Sequence, residues 1–331
     1  MAVKIIAEAG VNHNGSLALA KQMVEAAAAA KADYIKFQTF VPKHLVASSA
    51  QKAEYQKKTT GKHESQLEML ERLALGQEGF LELEAYCKKL GIGFLSTPFD
   101  LESIAFLNQL EMEFWKLPSG SVTDLPYLLE IAKTGKPIVM STGMCSMHEV
   151  EAAVIRMREA GVGEITLLHC NTEYPTPMKD VNLNAMATLR EAFHLPVGYS
   201  DHTNGIEVAV AAVALGAVVI EKHFTLSRSL EGPDHKASLE PEELAHMVQA
   251  IRNIEAAMGT GRKEPSESEQ KNMAAARKSI VAKCAIRKGE RFSEQNLTTK
   301  RPGNGISPME WPNLMGKESP KDFEPDDLIV L

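Results

Sequence analysis

Val218-Val219-Ile220-Glu221-Lys222-His223-Phe224-Thr225 begins as an apolar run and ends in polar chemistry. Strand side chains alternate faces, so Glu221 and His223 share one face and Ile220 and Lys222 the other. A carboxylate and an imidazole pointing the same way at the C-terminal end of a strand suit a metal or an acid/base site. Upstream, Pro196-Val197-Gly198-Tyr199-Ser200-Asp201-His202 repeats the pattern of a short strand followed by an acid and a histidine. Either motif alone would read as a surface histidine on a loop. Two on successive strand ends point to the rim of a parallel barrel.

Working outward, strand-like and helix-period segments alternate along the chain. Strands are predicted at Lys4–Ala9, Tyr34–Gln38, Gly93–Pro98, Phe114–Leu117, Ile138–Ser141, Ile165–His169, Val197–Ser200 and Val218–His223. Helix-period stretches follow them, the last running from Glu242 to Met258. Eight of each predicts a (β/α)8 TIM barrel. A doubly wound open sheet would give the same alternation. A polar excursion from Phe40 to Leu67, including Lys57-Lys58-Thr59-Thr60-Gly61, is too long for an ordinary connection and is expected to be functional. The barrel is placed at 1–260 and a breaker-rich linker at 261–276. A small β-rich module is placed at 277–331, a size that calls for docking on a barrel or a partner chain.

The composition is that of a globular protein, with 44% hydrophobic and 24% charged residues in 331. A net charge of −7 argues against nucleic acid as the main partner, yet leaves room for an anionic substrate held by a local lysine cluster. Cys87, Cys145, Cys170 and Cys284 form no CxxC pair, which speaks against a zinc knot or a disulfide framework. With no signal peptide and no run long enough to span a bilayer, a cytoplasmic protein is expected, with no membrane partner.

On a barrel the strand C-termini form the active face. Reading round it gives Glu8, Lys36 and Gln38, Thr97, Lys116 and Ser119, Ser141, His169 and Asn171, Asp201 and His202, then Glu221 and His223. Polar groups are ordinary where loops begin. Lys36 and Lys116, flanked by apolar residues on both sides, are not, because a buried lysine needs an anionic partner. With the hydroxyls of Thr97, Ser119 and Ser141 they can hold a phosphate and a carboxylate. Gly10 to Gly15 is not a dinucleotide fingerprint and no P-loop is present, so the ligand reads as a small phosphorylated acid rather than a nucleotide. His202 and His223 offer two nitrogen ligands, a set suited to Mn²⁺, Co²⁺ or Zn²⁺ more than to Ca²⁺.

These residues also carry a resemblance. Glu8-Ala9-Gly10-Val11-Asn12-His13-Asn14-Gly15, Lys36-Phe37-Gln38-Thr39, Ser96-Thr97-Pro98-Phe99, Ser141-Thr142-Gly143-Met144 and Tyr174-Pro175-Thr176-Pro177 belong to it. So do Ser200-Asp201-His202-Thr203, Glu221-Lys222-His223-Phe224-Thr225, Gly232-Pro233-Asp234 and Lys300-Arg301-Pro302-Gly303-Asn304-Gly305. Together, in this order, they resemble the bacterial N-acetylneuraminate (sialic acid) synthase family over essentially the whole chain. The end of the chain resembles that family's antifreeze-like (SAF) domain.

The resemblance implies an enzyme, a transferase that forms a C–C bond between phosphoenolpyruvate and an N-acyl amino-sugar and releases phosphate by C–O cleavage. N-acetylmannosamine is the expected acceptor and N-acetylneuraminate the product. N,N'-diacetyllegionaminate synthase, which uses 2,4-diacetamido-2,4,6-trideoxymannose, is the alternative within the same resemblance. By position His202 and His223 would hold a divalent metal, Mn²⁺ first, with Mg²⁺ or Co²⁺ as substitutes. Lys36, Thr97, Lys116, Ser119 and Ser141 would bind phosphoenolpyruvate, with Asn171, Thr172 and Ser200 nearby. Glu8, Gln38, Tyr174 and Asp234 would surround the metal and the sugar, and Glu8 or Glu221 would activate water. A domain-swapped homodimer is implied, in which Arg301 reaches a partner's site. Ser121 stands where many members carry a glutamate. Two other classes remain: a carbohydrate- or ice-binding protein without activity, and an aldolase using Lys116 as a Schiff base.

Overall fold

Short runs that are apolar on both faces can be covered only by a second layer, and here helices supply it. The computed structural model describes residues 2–47, 49–53, 56–57 and 64–331. Its parallel strands are β1 (Lys4–Gly10), β2 (Tyr34–Thr39), β3 (Gly93–Pro98), β4 (Trp115–Leu117), β5 (Ile138–Ser141), β6 (Ile165–Cys170), β7 (Val197–Asp201) and β8 (Val219–His223). They hydrogen-bond in the order β3-β2-β1-β8-β7-β6-β5-β4, and the two end strands lie against each other. The chain therefore curls into a (β/α)8 barrel in which, among the described residues, β3 and β4 meet without a backbone ladder.

Local sequence explains the helix starts. Ser16 caps the helix Leu17–Ala29 by accepting from the Leu19 amide, and Asp124 caps Leu125–Ala132 through the Tyr127 amide. Ser146 and Glu149 form a reciprocal capping box at the head of Met147–Glu159. The helix Gln77–Leu90 ends at Gly91, whose φ of 73° is a left-handed conformation suited to glycine. Between helices and strands lies one continuous core that includes Ile5, Ile35, Trp115, Leu167 and Ile220, all essentially without exposure.

Register decides which polar groups meet. Glu8 of β1 stands opposite Lys36 on one side and His223 on the other. Gln38 pairs with Thr97 and Ser200 with Glu221. A register shift between Glu8 and Gly10 marks a bulge at the end of β1. Close approach of β7 to β8 depends on Gly198, where a Cβ would lie 2.3 Å from the Val219 carbonyl oxygen.

The polar excursion after β2 carries a short helix, Pro42–Leu45, and leads into the helix Gln66–Leu73. Of the quoted run Lys57 to Gly61, all but Lys57 lies outside the described residues. The chain divides into two compact units, Met1–Gly259 and Thr260–Leu331. The expected linker 261–276 is not irregular throughout. Ser266 and Glu269 build a capping box and start an exposed helix, Glu267–Ala276, in which alanines favour the helical state. In the second unit β9 (Ser279–Ala282) pairs antiparallel with β10 (Leu297–Lys300), over a separate core that includes Ile280, Phe292, Phe323 and Ile329. No helix among the described residues is long and apolar enough to cross a membrane.

Candidate active site

Inward-facing side chains at the C-terminal ends of the strands converge on one cavity of about 550 Å³. Its floor is a buried quartet of two lysines and two carboxylates. Lys36 Nζ lies 2.6 Å from Glu8 Oε2 and 3.6 Å from Glu221 Oε2. Lys116 Nζ lies 3.3 Å from Glu221 Oε1. All four residues are at most 4% exposed. Hydroxyls complete the set: Lys36 donates to Thr97 Oγ1 at 3.0 Å and Lys116 to Ser141 Oγ at 2.8 Å. Ser200 donates to Glu221 Oε1 at 2.7 Å, and Gln38 Nε2 donates to Glu8 Oε1 at 3.1 Å.

The two carboxylates are pushed in opposite directions. Burial, with the nearby Glu221 charge, outweighs Lys36 and lifts Glu8 to about 7. Burial would lift Glu221 too, but Lys116, Lys36 and the Ser200 hydrogen bond overcome it and hold its carboxyl well below the usual range. Burial also lowers Lys116, whereas the two carboxylates more than offset it at Lys36 and keep that ammonium charged. Paired titratable groups driven apart in this way are the pattern of an acid/base site.

His202 and His223 stand beside the quartet with ring centroids 5.3 Å apart. Burial lowers His202 to about 4 and His223 well below its ordinary value, so both are neutral and carry lone pairs. His202 Nδ1 contacts the Asn171 carbonyl, so that nitrogen carries the proton and Nε2, 3.5 Å from Ser200 Oγ, carries the lone pair. His223 Nδ1 is buried, finds no hydrogen-bond partner among the described residues, and lies 4.0 Å from Asp234 Oδ2. Burial raises that aspartate to about 6. The Tyr174 ring packs 4.2 Å from His202 and 5.4 Å from His223. Two neutral imidazoles, one with an orphaned nitrogen, fit a divalent metal. No group of three or more His, Cys, Asp or Glu arranged for a metal occurs among the described residues. The donor set thus leaves several coordination positions to oxygen ligands.

Most of the expected site residues line this cavity: Glu8, Lys36, Gln38, Thr97, Lys116, Ser119, Ser141, Thr172, Tyr174, Ser200, His202, Glu221, His223 and Asp234. Asn171 does not; its side chain accepts from the Glu173 amide, and its carbonyl meets His202. Arg301 belongs to the second unit, where it is exposed and its Nε donates to the Ala276 carbonyl at 3.1 Å. Two residues read as strand-end candidates face the helices instead, because a strand alternates sides. His169 Nε2 meets the Val181 carbonyl at 2.9 Å, and its neighbour Cys170 lines the cavity. Asp201 is fully buried behind the sheet, 2.8 Å from Lys222 Nζ. Ser121 sits in the 3-10 turn Ser119–Ser121 and does not line the cavity, whereas Ser119 and Gly120 do.

Sequence reading missed Cys170, Met144 and an apolar part of the wall that includes Val11, Phe40, Leu45, Leu70 and Phe99. A signal existed for two of these. Phe40 is two residues beyond Gln38 and Phe99 two beyond Thr97, so each extends an inward-facing row.

Comparison with known proteins places this geometry. The NeuB family profile matches residues 23–263, and the SAF domain profile matches 277–331. The chain is 55% identical to N,N'-diacetyllegionaminic acid synthase of Campylobacter jejuni over 98% of both chains. It is 47% identical to the protein of the same name in Legionella pneumophila, over 94% of this chain and 89% of that one. Among solved structures it resembles an N-acetylneuraminic acid (sialic acid) synthetase from Leptospira borgpetersenii, determined in complex with citrate. The TM-score is 0.72 and the identity 36%, with 82% of this chain and 90% of that one covered.

Proposed function

Since the chain belongs to the NeuB family and ends in a SAF domain, we propose that it condenses phosphoenolpyruvate with 2,4-diacetamido-2,4,6-trideoxymannose to give N,N'-diacetyllegionaminate and phosphate. One observation carries the choice of acceptor: 55% identity over 98% of both chains to an N,N'-diacetyllegionaminic acid synthase, against 36% to the sialic acid synthetase. N-acetylmannosamine, the acceptor expected from sequence, gives way on that ground.

In this reaction C3 of phosphoenolpyruvate attacks the aldehyde carbon of the open-chain sugar. Water adds at C2, and the hemiketal phosphate breaks its C–O bond to release phosphate. Lys36, Lys116, Thr97 and Ser141 hold the carboxylate and phosphate. They already point at one locus and need little reorganisation as charge moves. Ser119 stands beside them, donating or accepting with Cys170 Sγ at 3.3 Å and accepting from the Gly143 amide at 2.8 Å.

Glu8 takes the proton of the water that adds at C2. Its support is a carboxyl lifted to about 7, against a Glu221 held ionised by the lysines. Glu221 keeps both lysines aimed at the anion. Tyr174, Gln38 and Asp234 orient the sugar. His202 and His223 would hold the divalent metal, Mn²⁺ first, and such a cation supplies Lewis-acid polarisation of the acceptor carbonyl when bound. The proposal includes a homodimer in which Arg301 serves a partner's acceptor site.

The test is phosphate release by the purified protein, supplied with Mn²⁺ and phosphoenolpyruvate, on each sugar in turn. The expected result is a kcat/KM at least tenfold higher for the trideoxy sugar. A preference for N-acetylmannosamine would return the reading to a sialic acid synthase. Release with neither sugar would exclude both acceptors.

A further inference from the structure

Three neighbouring strands change chemistry along their inward rows. In β2 the row runs from Lys36 through Gln38 to Phe40 just beyond the strand. In β3 it runs from Thr97 to Phe99, and at the end of β1 from Glu8, past the bulge, to Val11. In each case a charged or hydroxyl group lies deep and an apolar group lies toward the mouth. The Phe40 and Phe99 rings meet edge to face at 6.4 Å. Leu45, from the helix Pro42–Leu45, and Leu70, from Gln66–Leu73, pack on the same cluster and line the cavity. The opposite side of the mouth is polar, with Thr172, Tyr174 and Asp234. One cavity therefore has an anion-binding floor, one polar side and one apolar side.

We infer that the apolar side, built by Phe40, Leu45, Leu70 and Phe99, is a specificity subsite for a deoxygenated, methyl-bearing end of the acceptor sugar. The inference rests on the acceptor reading above and assigns it residues. The floor takes the phosphorylated acid, so the sugar extends from it toward the mouth, with its hydrogen-bonding substituents toward Thr172 and Asp234. Its far end then meets the Phe40, Leu45, Leu70 and Phe99 side chains, which offer no donor or acceptor, with Gln56 and Gln66 the polar lining residues beside them. A methyl group gains by leaving water there. A hydroxymethyl group set against these four side chains would bury its hydroxyl without a partner among them. Discrimination of this kind in an apolar pocket reaches about 100-fold.

Leu45 and Leu70 are both half-buried, so polar replacements can be accommodated. The experiment compares wild type, Leu70→Gln and Leu45→Asn, each checked by thermal melting, with kcat/KM measured for both sugars. Wild type alone decides the acceptor reading. A wild type that prefers N-acetylmannosamine overturns both that reading and this inference. The expected result is a wild type that prefers the trideoxy sugar and folded variants whose preference falls about tenfold, mainly through the acceptor KM. If wild type prefers the trideoxy sugar and both folded variants keep the ratio within about twofold, the acceptor reading stands and the subsite is wrong.

Discussion

Glu8 and Glu221 are the same chemical group a few ångströms from the same ammonium, and their surroundings push their carboxyls in opposite directions. Glu221 lies within reach of two lysines and a hydroxyl donor, while Glu8 has one lysine and a neighbouring negative charge. A proton acceptor must be ionised to act. With Glu8 lifted to about 7, kcat/KM should rise with pH through about 7 and level off above it, falling tenfold per unit on the acid side. Glu8→Gln should lose about 10² to 10⁴ of activity together with that limb. A glutamine variant that keeps the limb would show that another group carries the proton. The lysines behind this behaviour were legible in the sequence, because a cation between apolar neighbours has few bland explanations. The split between the carboxylates was not, since it depends on which side chains of β2, β4 and β8 lie across the barrel from one another.

At the scale of the element, strand alternation does more than fill the cavity. Each histidine has a neighbour on the opposite face, and these neighbours, Asp201 and Lys222, form a fully buried ion pair joining β7 to β8. Asp201 Oδ1 also accepts from the Thr203 amide and hydroxyl, and Lys222 donates to the Thr203 carbonyl at 2.6 Å. The pair therefore fixes the turn that carries His202 and the strand end that carries His223. Lys222→Met should cost about 3–5 kcal/mol in stability by stranding a buried carboxylate. The double variant Lys222→Met, Asp201→Leu should recover much of that. If the two histidines hold the metal as proposed, it should nevertheless bind Mn²⁺ about tenfold more weakly in a direct titration, because the supports behind them are gone. Unchanged Mn²⁺ affinity in a stable double variant would reduce the pair to packing. Sequence periodicity found the strands that make this possible, and it found His202 and His223. It placed Asp201 and His169 at the rim because strand ends are where period-two reading is least certain by one residue. The apolar side of the mouth was legible only in part. Phe40 and Phe99 continue strand rows, but Leu45 comes from a short helix inside the excursion and Leu70 from the helix Gln66–Leu73, whose start only the Ser65 and Glu68 capping box marks.

For the barrel unit as a whole, seven backbone ladders join the eight strands, and the meeting of β3 with β4 has none among the described residues. The Ser96 amide, which faces that line, donates at 3.3 Å to the Met112 sulfur, a weak acceptor. On the other side of β3, the Gly93 amide reaches the Asp33 carbonyl and the Phe99 amide the Thr39 carbonyl, each at 3.0 Å. Hydrogen exchange should therefore be at least about tenfold faster at Ser96 than at Leu95 or Thr97, whose amides face β2. The same seam runs between the strand that carries Thr97 and the strand that carries Lys116. An anion held, as proposed, by Lys36 and Thr97 on one bank and by Lys116 and Ser141 on the other would be a removable rung of the barrel. Phosphoenolpyruvate should then slow exchange at Ser96 while leaving the β6–β7 ladder unchanged, and equal protection at both places would mean that it tightens the protein without bridging the seam. In those terms the proposed ligand would be a structural member of the ring, closing the circle for as long as it is bound.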